Sequence, residues 1–380
     1  MRWRIIVSSI LCLILAALPV YAMDMYSVGY DAGKKGLEYL NISKGDPNLL
    51  VLTNAGYSTI ESEETVLAID GVSDSTGCTI GKENLILVHN NELKPLWFAF
   101  FRKDTGDCVY IEYSPKEYIS KGNIKAELLL NNPEEWQKKM KSKVFHGNEF
   151  SIVTISSLWA IGAPYHLLKS AEFHNHICPG LISGYMIAKY LEKNLPLRKG
   201  EKYQIIASPP WCKDDAIQIM LDSTVGKRGM SVKQLSKLQQ KSLPNFAGIY
   251  IRTSKTYGEG DVAVLKFDWD KAAKLCDVNR SYFKDFKSYK WWWARLKMNI
   301  CLMSYLDKPE EFVSTVKTFH LSADQHYKLH TAGVNPYEEL GFIKGYIKEK
   351  GSSWTWTWIC AGICAGLVVG FLVGYFLKRR

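Results

Sequence analysis

The sequence predicts an α+β protein built from two diverged copies of one unit, with a helical linker, a helical tail and one C-terminal transmembrane helix. Three observations carry this. A constant offset lays Ile69-Asp70-Gly71 through Thr79-Ile80-Gly81-Lys82 on Asp214-Asp215-Ala216 through Thr224-Val225-Gly226-Lys227, and a second offset lays Gly29-Tyr30 and Lys44-Gly45 on Gly184-Tyr185 and Lys199-Gly200. The apolar pattern runs through the same order in both copies: helix, strand, helix, hairpin. Finally, Trp354 to Leu377 is uncharged and predominantly apolar, and Lys378-Arg379-Arg380 closes the chain. A helix of that length rises roughly 36 Å, enough to cross a bilayer.

Taken in order, residues 1–22 read as a secretory signal: Arg2 and Arg4, an apolar run from Ile5 to Leu18, then Val20-Tyr21-Ala22. The first copy, 25–131, is expected to hold helices over Asp31–Leu40 and Thr65–Val72, a strand over Asn48–Thr53, and a hairpin from Trp97–Arg102 and Cys108–Tyr113. A helical linker spans 132–170. The second copy, 171–270, repeats the order with a helix over Gly184–Leu195, ended by Pro196 and Gly200. Its strand is Tyr203–Ala207, its second helix Asp214–Leu221, and its hairpin Ile249–Arg252 with Val262–Phe267. The tail, 271–350, reads as mostly helical, with Trp291, Trp292 and Trp293 placed to pack the lobes together.

The transmembrane segment, 354–377, carries Trp354, Trp356 and Trp358 where an interfacial aromatic belt belongs, and its terminal cations stay inside. The expected location is therefore the plasma membrane, single-pass, with the N-terminal body outside the cytoplasm. Gly362, Gly366, Gly370 and Gly374 line one helix face and suit a homodimer or a membrane partner such as a transporter. Hydrophobic residues at 47% and charged ones at 23% are ordinary for a globular chain. The net charge of +10 forms no long Lys/Arg run, so nucleic-acid binding has little support. Outside the signal and the membrane segment lie Cys78, Cys108, Cys178, Cys212, Cys276 and Cys301, whose pairing is not readable.

The densest chemistry is His174-Asn175-His176-Ile177-Cys178-Pro179-Gly180. Imidazole and thiolate suit zinc, nickel, copper or iron rather than calcium or magnesium. Extended or helical, the spacing presents at least two donors to one point. Further along, Cys212-Lys213-Asp214-Asp215-Ala216-Ile217-Gln218 adds a thiol and, one helical turn on, a carboxylate. Together these segments resemble the signature of the FmdE family, which takes its name from formylmethanofuran dehydrogenase. Thr76-Gly77-Cys78-Thr79-Ile80-Gly81-Lys82 in the first copy resembles it too. The resemblance implies metal-binding α+β domains without the catalytic role of that enzyme. It departs from the family pattern in two places. The second copy has Leu221-Asp222-Ser223 where Thr-Gly-Cys is expected, and Ser208 where members carry Glu, a position that Glu63 fills in the first copy.

The expected centre therefore comprises Cys178 and Cys212 as thiolates with one or both of His174 and His176, zinc being the first choice and nickel or iron alternatives. Asp215 is expected to orient an imidazole, and Glu63 and Cys78 to support the site if the copies face each other. A Cys178–Cys212 disulfide is the competing arrangement. His320, His326 and His330 form a weaker cluster, with the last two one helical turn apart. Three functions follow as expectations: a membrane-tethered extracytoplasmic binder of a transition metal or metal-containing cofactor that feeds a transporter, a metal-dependent enzyme or redox protein of C1 metabolism, or an assembly module stabilised by metal.

Overall fold

The computed structural model describes residues 24–114 and 116–344. Residues up to Val334 form one compact unit; the second begins at Asn335, and its described part contains only the short helix α13 (Pro336–Glu339). In the first unit, α1 (Met25–Leu40) and β1 (Leu49–Thr53) precede a small exposed ribbon, β2 (Thr59–Ile60) with β3 (Glu63–Glu64). Then come α2 (Leu67–Thr76), β4 (Leu85–Leu87), β5 (Leu96–Arg102), β6 (Asp107–Ser114) and β7 (Lys116–Asn123). Four linking helices follow: α3 (Ala126–Asn131), α4 (Pro133–Lys141), α5 (Glu149–Ala160) and α6 (Tyr165–His174). The second lobe holds α7 (Pro179–Asn194), β8 (Lys202–Ala207), α8 (Lys213–Leu221), β9 (Met230–Val232), α9 (Lys237–Ser242), β10 (Phe246–Thr253) and β11 (Gly260–Phe267). It closes with α10 (Trp269–Leu275), α11 (Lys290–Met303), β12 (Val313–Leu321) and α12 (Ala323–His330).

The two five-stranded sheets have one topology. The first runs β4-β1-β5-β6-β7 and the second β9-β8-β10-β11-β12, and in each only the first pair is parallel. The tail therefore contributes a strand as well as helices: β12 supplies the fifth strand of the second sheet. Its sequence, Val-Ser-Thr-Val-Lys-Thr-Phe-His-Leu, is polar along much of its length, as an edge strand tolerates.

Local chemistry sets the helix ends. Asp24 accepts from the Tyr26 N–H, so α1 starts at Met25 rather than Asp31. Helix α2 runs on to Thr76, where Gly77, at φ 76°, supplies the left-handed cap. Along β1, Leu49 and Val51 face a core with Ala32 of α1 and Ala68 and Val72 of α2, while Leu50 and Leu52 face the opposite side. That second core is continuous through α5, α6 and α7 to Ile205, Tyr250 and Leu265 of the second sheet. Strands β1 and β5 of the first sheet are thus buried on both faces.

The glycine at the start of the Gly-Tyr match is a helix-crossing residue in both lobes. A Cβ on Gly29 would stand 2.0 Å from the Ala68 carbonyl oxygen, and one on Gly184 would stand 2.2 Å from that of Lys213. Backbone approaches backbone there, which only glycine allows.

The tryptophans anchor α11 on the linker. Trp292 is buried and its indole donates to Gln137 Oε1 at 2.7 Å; that of Trp293 donates to the Leu130 carbonyl at 3.0 Å. A disulfide between Cys276 and Cys301 ties α11 to the end of α10 across 25 residues. Replacing both by serine is expected to cost about 3 kcal/mol, by the entropy of closing such a loop. Denaturant unfolding of the oxidised chain and the variant measures it; equal midpoints exclude a stabilising role for the bond.

One expectation is corrected. No helix among the described residues is long and apolar enough to cross a membrane, so neither the transmembrane element of the fold class nor the single-pass plasma-membrane location stands. The stretch that suggested them, 354–377 with Gly362, Gly366, Gly370 and Gly374, lies outside the described residues, as does the signal at 1–22. The fold class is α+β with two sheet-bearing lobes.

Candidate metal centre

The His-rich heptapeptide is neither extended nor helical; it is a stop and a restart. Helix α6 ends at His174, and Asn175 takes a left-handed conformation, φ 59°, that reverses the chain. Cys178 then caps α7, its sulfur accepting from the Leu181 N–H at 3.4 Å, and Pro179 fills the first helical position, where its missing N–H costs nothing. The turn is pinned from outside. The Ile177 N–H donates to Thr154 Oγ1 at 3.1 Å, and Asn299 Nδ2 donates to the Ile177 carbonyl at 2.8 Å.

The second thiol comes from Cys212, at the N-terminal cap of α8. Helix α8 crosses α7 closely because Gly180 and Gly184 carry no side chain: a Cβ on Gly180 would lie 2.9 Å from Cys212 Cβ. Two helix N-termini therefore deliver two cysteines to one point, and both helix dipoles favour thiolate there. His174, Cys178 and Cys212 each place a ligand atom within 4.8 Å of the others, so the three form a group that can hold a metal ion.

Protons distribute across this group in a defined way. His174 Nδ1 donates to Asp215 Oδ2 at 2.6 Å, which leaves Nε2 facing the thiols, 3.8 Å from Cys178 Sγ. Burial opposes a charge on His174, but the bonds to Asp215 and Cys212 prevail and push it up to about 9. The cysteines share one proton. The bond between them, and then burial, hold Cys178 well above the usual thiol range; the same bond, aided by His174, brings Cys212 down to about 5. These directions favour a thiolate on Cys212, a thiol on Cys178 and a proton on His174.

His176 stands beside this triad rather than in it. Its ring packs 4.3 Å from that of His174 and 5.1 Å from Phe150, and its Nδ1 bonds Asn175 Oδ1 at 2.9 Å. Burial and the neighbouring charges of His174 and Arg295 push it down to about 3. No motif in the sequence points to Arg295. It reaches the site from α11, where its guanidinium lies over Phe283, Phe286 and Trp291 and donates to the Trp291 carbonyl at 2.7 Å. Burial lowers its pKa, while Cys178 and Cys212 pull the other way. The one signal that could have found it is the aromatic run preceding it.

Asp215 lies within hydrogen-bond distance of His174. Cys178 and Cys212 are free, not paired. Glu63 lies on the exposed ribbon strand β3, and Cys78 is buried in the core between α1, α2 and the first sheet; neither belongs to the triad. Cys78 Sγ faces the Leu49 carbonyl at 3.8 Å, and burial pushes its thiol up to about 11. Ser223, its counterpart in the repeat, bonds the Tyr203 carbonyl at 3.2 Å. The Thr-Gly-Cys segment thus packs the first lobe. Among the described residues that lobe holds no second centre of this kind, because the counterpart of Cys212 is Leu67, half exposed and without a donor.

The model of the FmdE family, described as "Molybdenum formylmethanofuran dehydrogenase operon", matches residues 24–149 and 173–281. One match falls on each lobe. None of the curated proteins compared matches the chain.

Proposed function

The chain belongs to the FmdE family, and from that premise we propose that it binds one transition metal ion, or a cofactor containing one, through His174, Cys178 and Cys212. The observation that carries this is the convergence of two helix-capping cysteines and an imidazole whose Nδ1–H is already committed to Asp215. Metal-binding histidines are oriented in this way by a carboxylate, which fixes the tautomer and turns Nε2 toward the ion. The donor set is one nitrogen and two sulfurs, which suits zinc first and nickel or iron next. Binding expels the shared thiol proton and the Nε2 proton of His174, so two buried positive equivalents leave as the cation arrives. Arg295 balances the remaining thiolate charge, and His176 packs beside the group without joining its three donors.

Three protein donors leave a coordination position for a substrate or cofactor ligand, which supports a second reading drawn from the family's description: a metal-dependent step in C1 metabolism. Metal analysis of the chain purified anaerobically tests the first reading. Stoichiometric metal, or uptake by the chelated chain without refolding, is the expected result. A chain that contains none and takes up none from zinc, nickel or iron salts overturns it. Loss of the fold on chelation would assign the metal to structure instead.

A further inference from the structure

Helix α12 carries two imidazoles one turn apart, far along the chain from the cysteine centre. His326 is fully buried, and its Nδ1 lies 2.6 Å from the Gly258 carbonyl oxygen. A carbonyl only accepts, so Nδ1 carries the proton and Nε2 the lone pair. His330 has Nδ1 2.5 Å from Ser231 Oγ, a hydroxyl that accepts from Nδ1–H in the tautomer with a free Nε2 lone pair and donates to Nδ1 in the other. Both Nε2 atoms are buried and meet no hydrogen-bond partner among the described residues. The ring centroids stand 5.1 Å apart.

Leaving a buried donor or acceptor unmade costs about 1–3 kcal/mol, and here two unpartnered ring nitrogens lie on neighbouring imidazoles. Protonation is not the remedy. Burial lowers the pKa of His326, and burial with His326 and Lys233 nearby takes His330 down to about 3. The loop over the rings is itself held at a cost. Tyr257 packs 5.1 Å from His330 and 6.0 Å from His326, with a φ of 58° that is rare for an aromatic residue. Its N–H donates at 2.6 Å to Gln204, a fully buried side chain.

We propose that His326 and His330 hold a divalent transition metal ion through their Nε2 atoms. Two histidines at i and i+4 share a helix face, and His326, whose other nitrogen bonds a backbone carbonyl, is oriented as metal-binding imidazoles are. An all-nitrogen pair takes ions that accept imidazole. The site is separate from the thiolate centre and stands whether or not that centre binds metal.

Cobalt(II) is the probe, added to the chelated full-length chain carrying Cys178→Ser and Cys212→Ser. One equivalent should bind, with the weak visible bands of nitrogen coordination and no thiolate charge-transfer band. Adding His330→Gln should weaken binding at least tenfold and remove the rise in melting temperature that cobalt causes. Absence of uptake by the parent, or equal affinity after His330→Gln, overturns the proposal. Should these variants not fold, imidazole nitrogen resonances of the unaltered chain decide. Zinc must shift Nε2 of His326 and of His330; if both stay in place, the proposal fails.

Discussion

Cys212→Ser is expected to abolish metal uptake at the thiolate centre, with a loss of affinity well beyond the roughly 10–100-fold that removing a supporting group costs. The reason is that the group has three donors and Cys212 is the one most readily ionised. Cys212 is held low first by its bond to Cys178 and then by His174. Without it the group loses its readiest thiolate, and Cys178 and His174 remain as only two donors. Cys178→Ser should be equally damaging. Asp215→Asn should cost only about tenfold, since the amide still accepts from His174 Nδ1 but no longer carries the charge that raises the ring's basicity. Glu63→Gln and Cys78→Ser should bind as the parent does, being on the exposed ribbon and in the separate first-lobe core. Competition against a chromophoric chelator ranks the set. A Cys212→Ser chain that binds within threefold of the parent would remove the centre from consideration.

What could be read in advance follows from chain distance. His174 and Cys178 are neighbours, and Cys212 begins a segment whose acid-rich helix start is conspicuous, so the residues that come together with Asp215 were legible as candidates. How they meet was not. The left-handed Asn175 and the double helix-cap geometry depend on Thr154 of α5 and Asn299 of α11 pinning the turn, and neither segment announces that role. Arg295 was invisible for the same reason: it reaches the site through tertiary packing of α11, fixed by Trp292, Trp293 and the Cys276–Cys301 bond. The repeat was legible because Gly-Tyr and the acidic helix starts recur in order. Strand β12 was not, since a polar edge strand lacks the alternation that marks a half-buried one. The pairing of Glu63 and Cys78 with the centre failed because matched positions in a duplicated fold lie in equivalent places of separate lobes, not in one shared place.

The duplication also permits a test in which one lesion is placed twice. Gly184→Ala puts a methyl group 2.2 Å from the Lys213 carbonyl oxygen, and Gly29→Ala puts one 2.0 Å from that of Ala68. Backbone cannot rotate aside as a side chain can, so α8 must move off α7 in the first case and α2 off α1 in the second. Overpacking of this kind costs about 1–3 kcal/mol, against about 1 kcal/mol returned by alanine's better helix propensity. With a contact this short the upper end applies, and a net loss of about 2 kcal/mol is expected from each. Gly226→Ala, with nothing within 4 Å of the added carbon, is the neutral control. The two lesions should part company at the metal. Helix α8 starts at Cys212, and displacing it from α7 draws Cys212 away from Cys178, so Gly184→Ala should bind metal at least tenfold more weakly. Gly29→Ala strains a lobe whose corresponding residue is Leu67 and should leave affinity unchanged. Equal metal affinity in the two variants, both destabilised, would show that the α7–α8 crossing supports the fold but does not set the separation of the thiols.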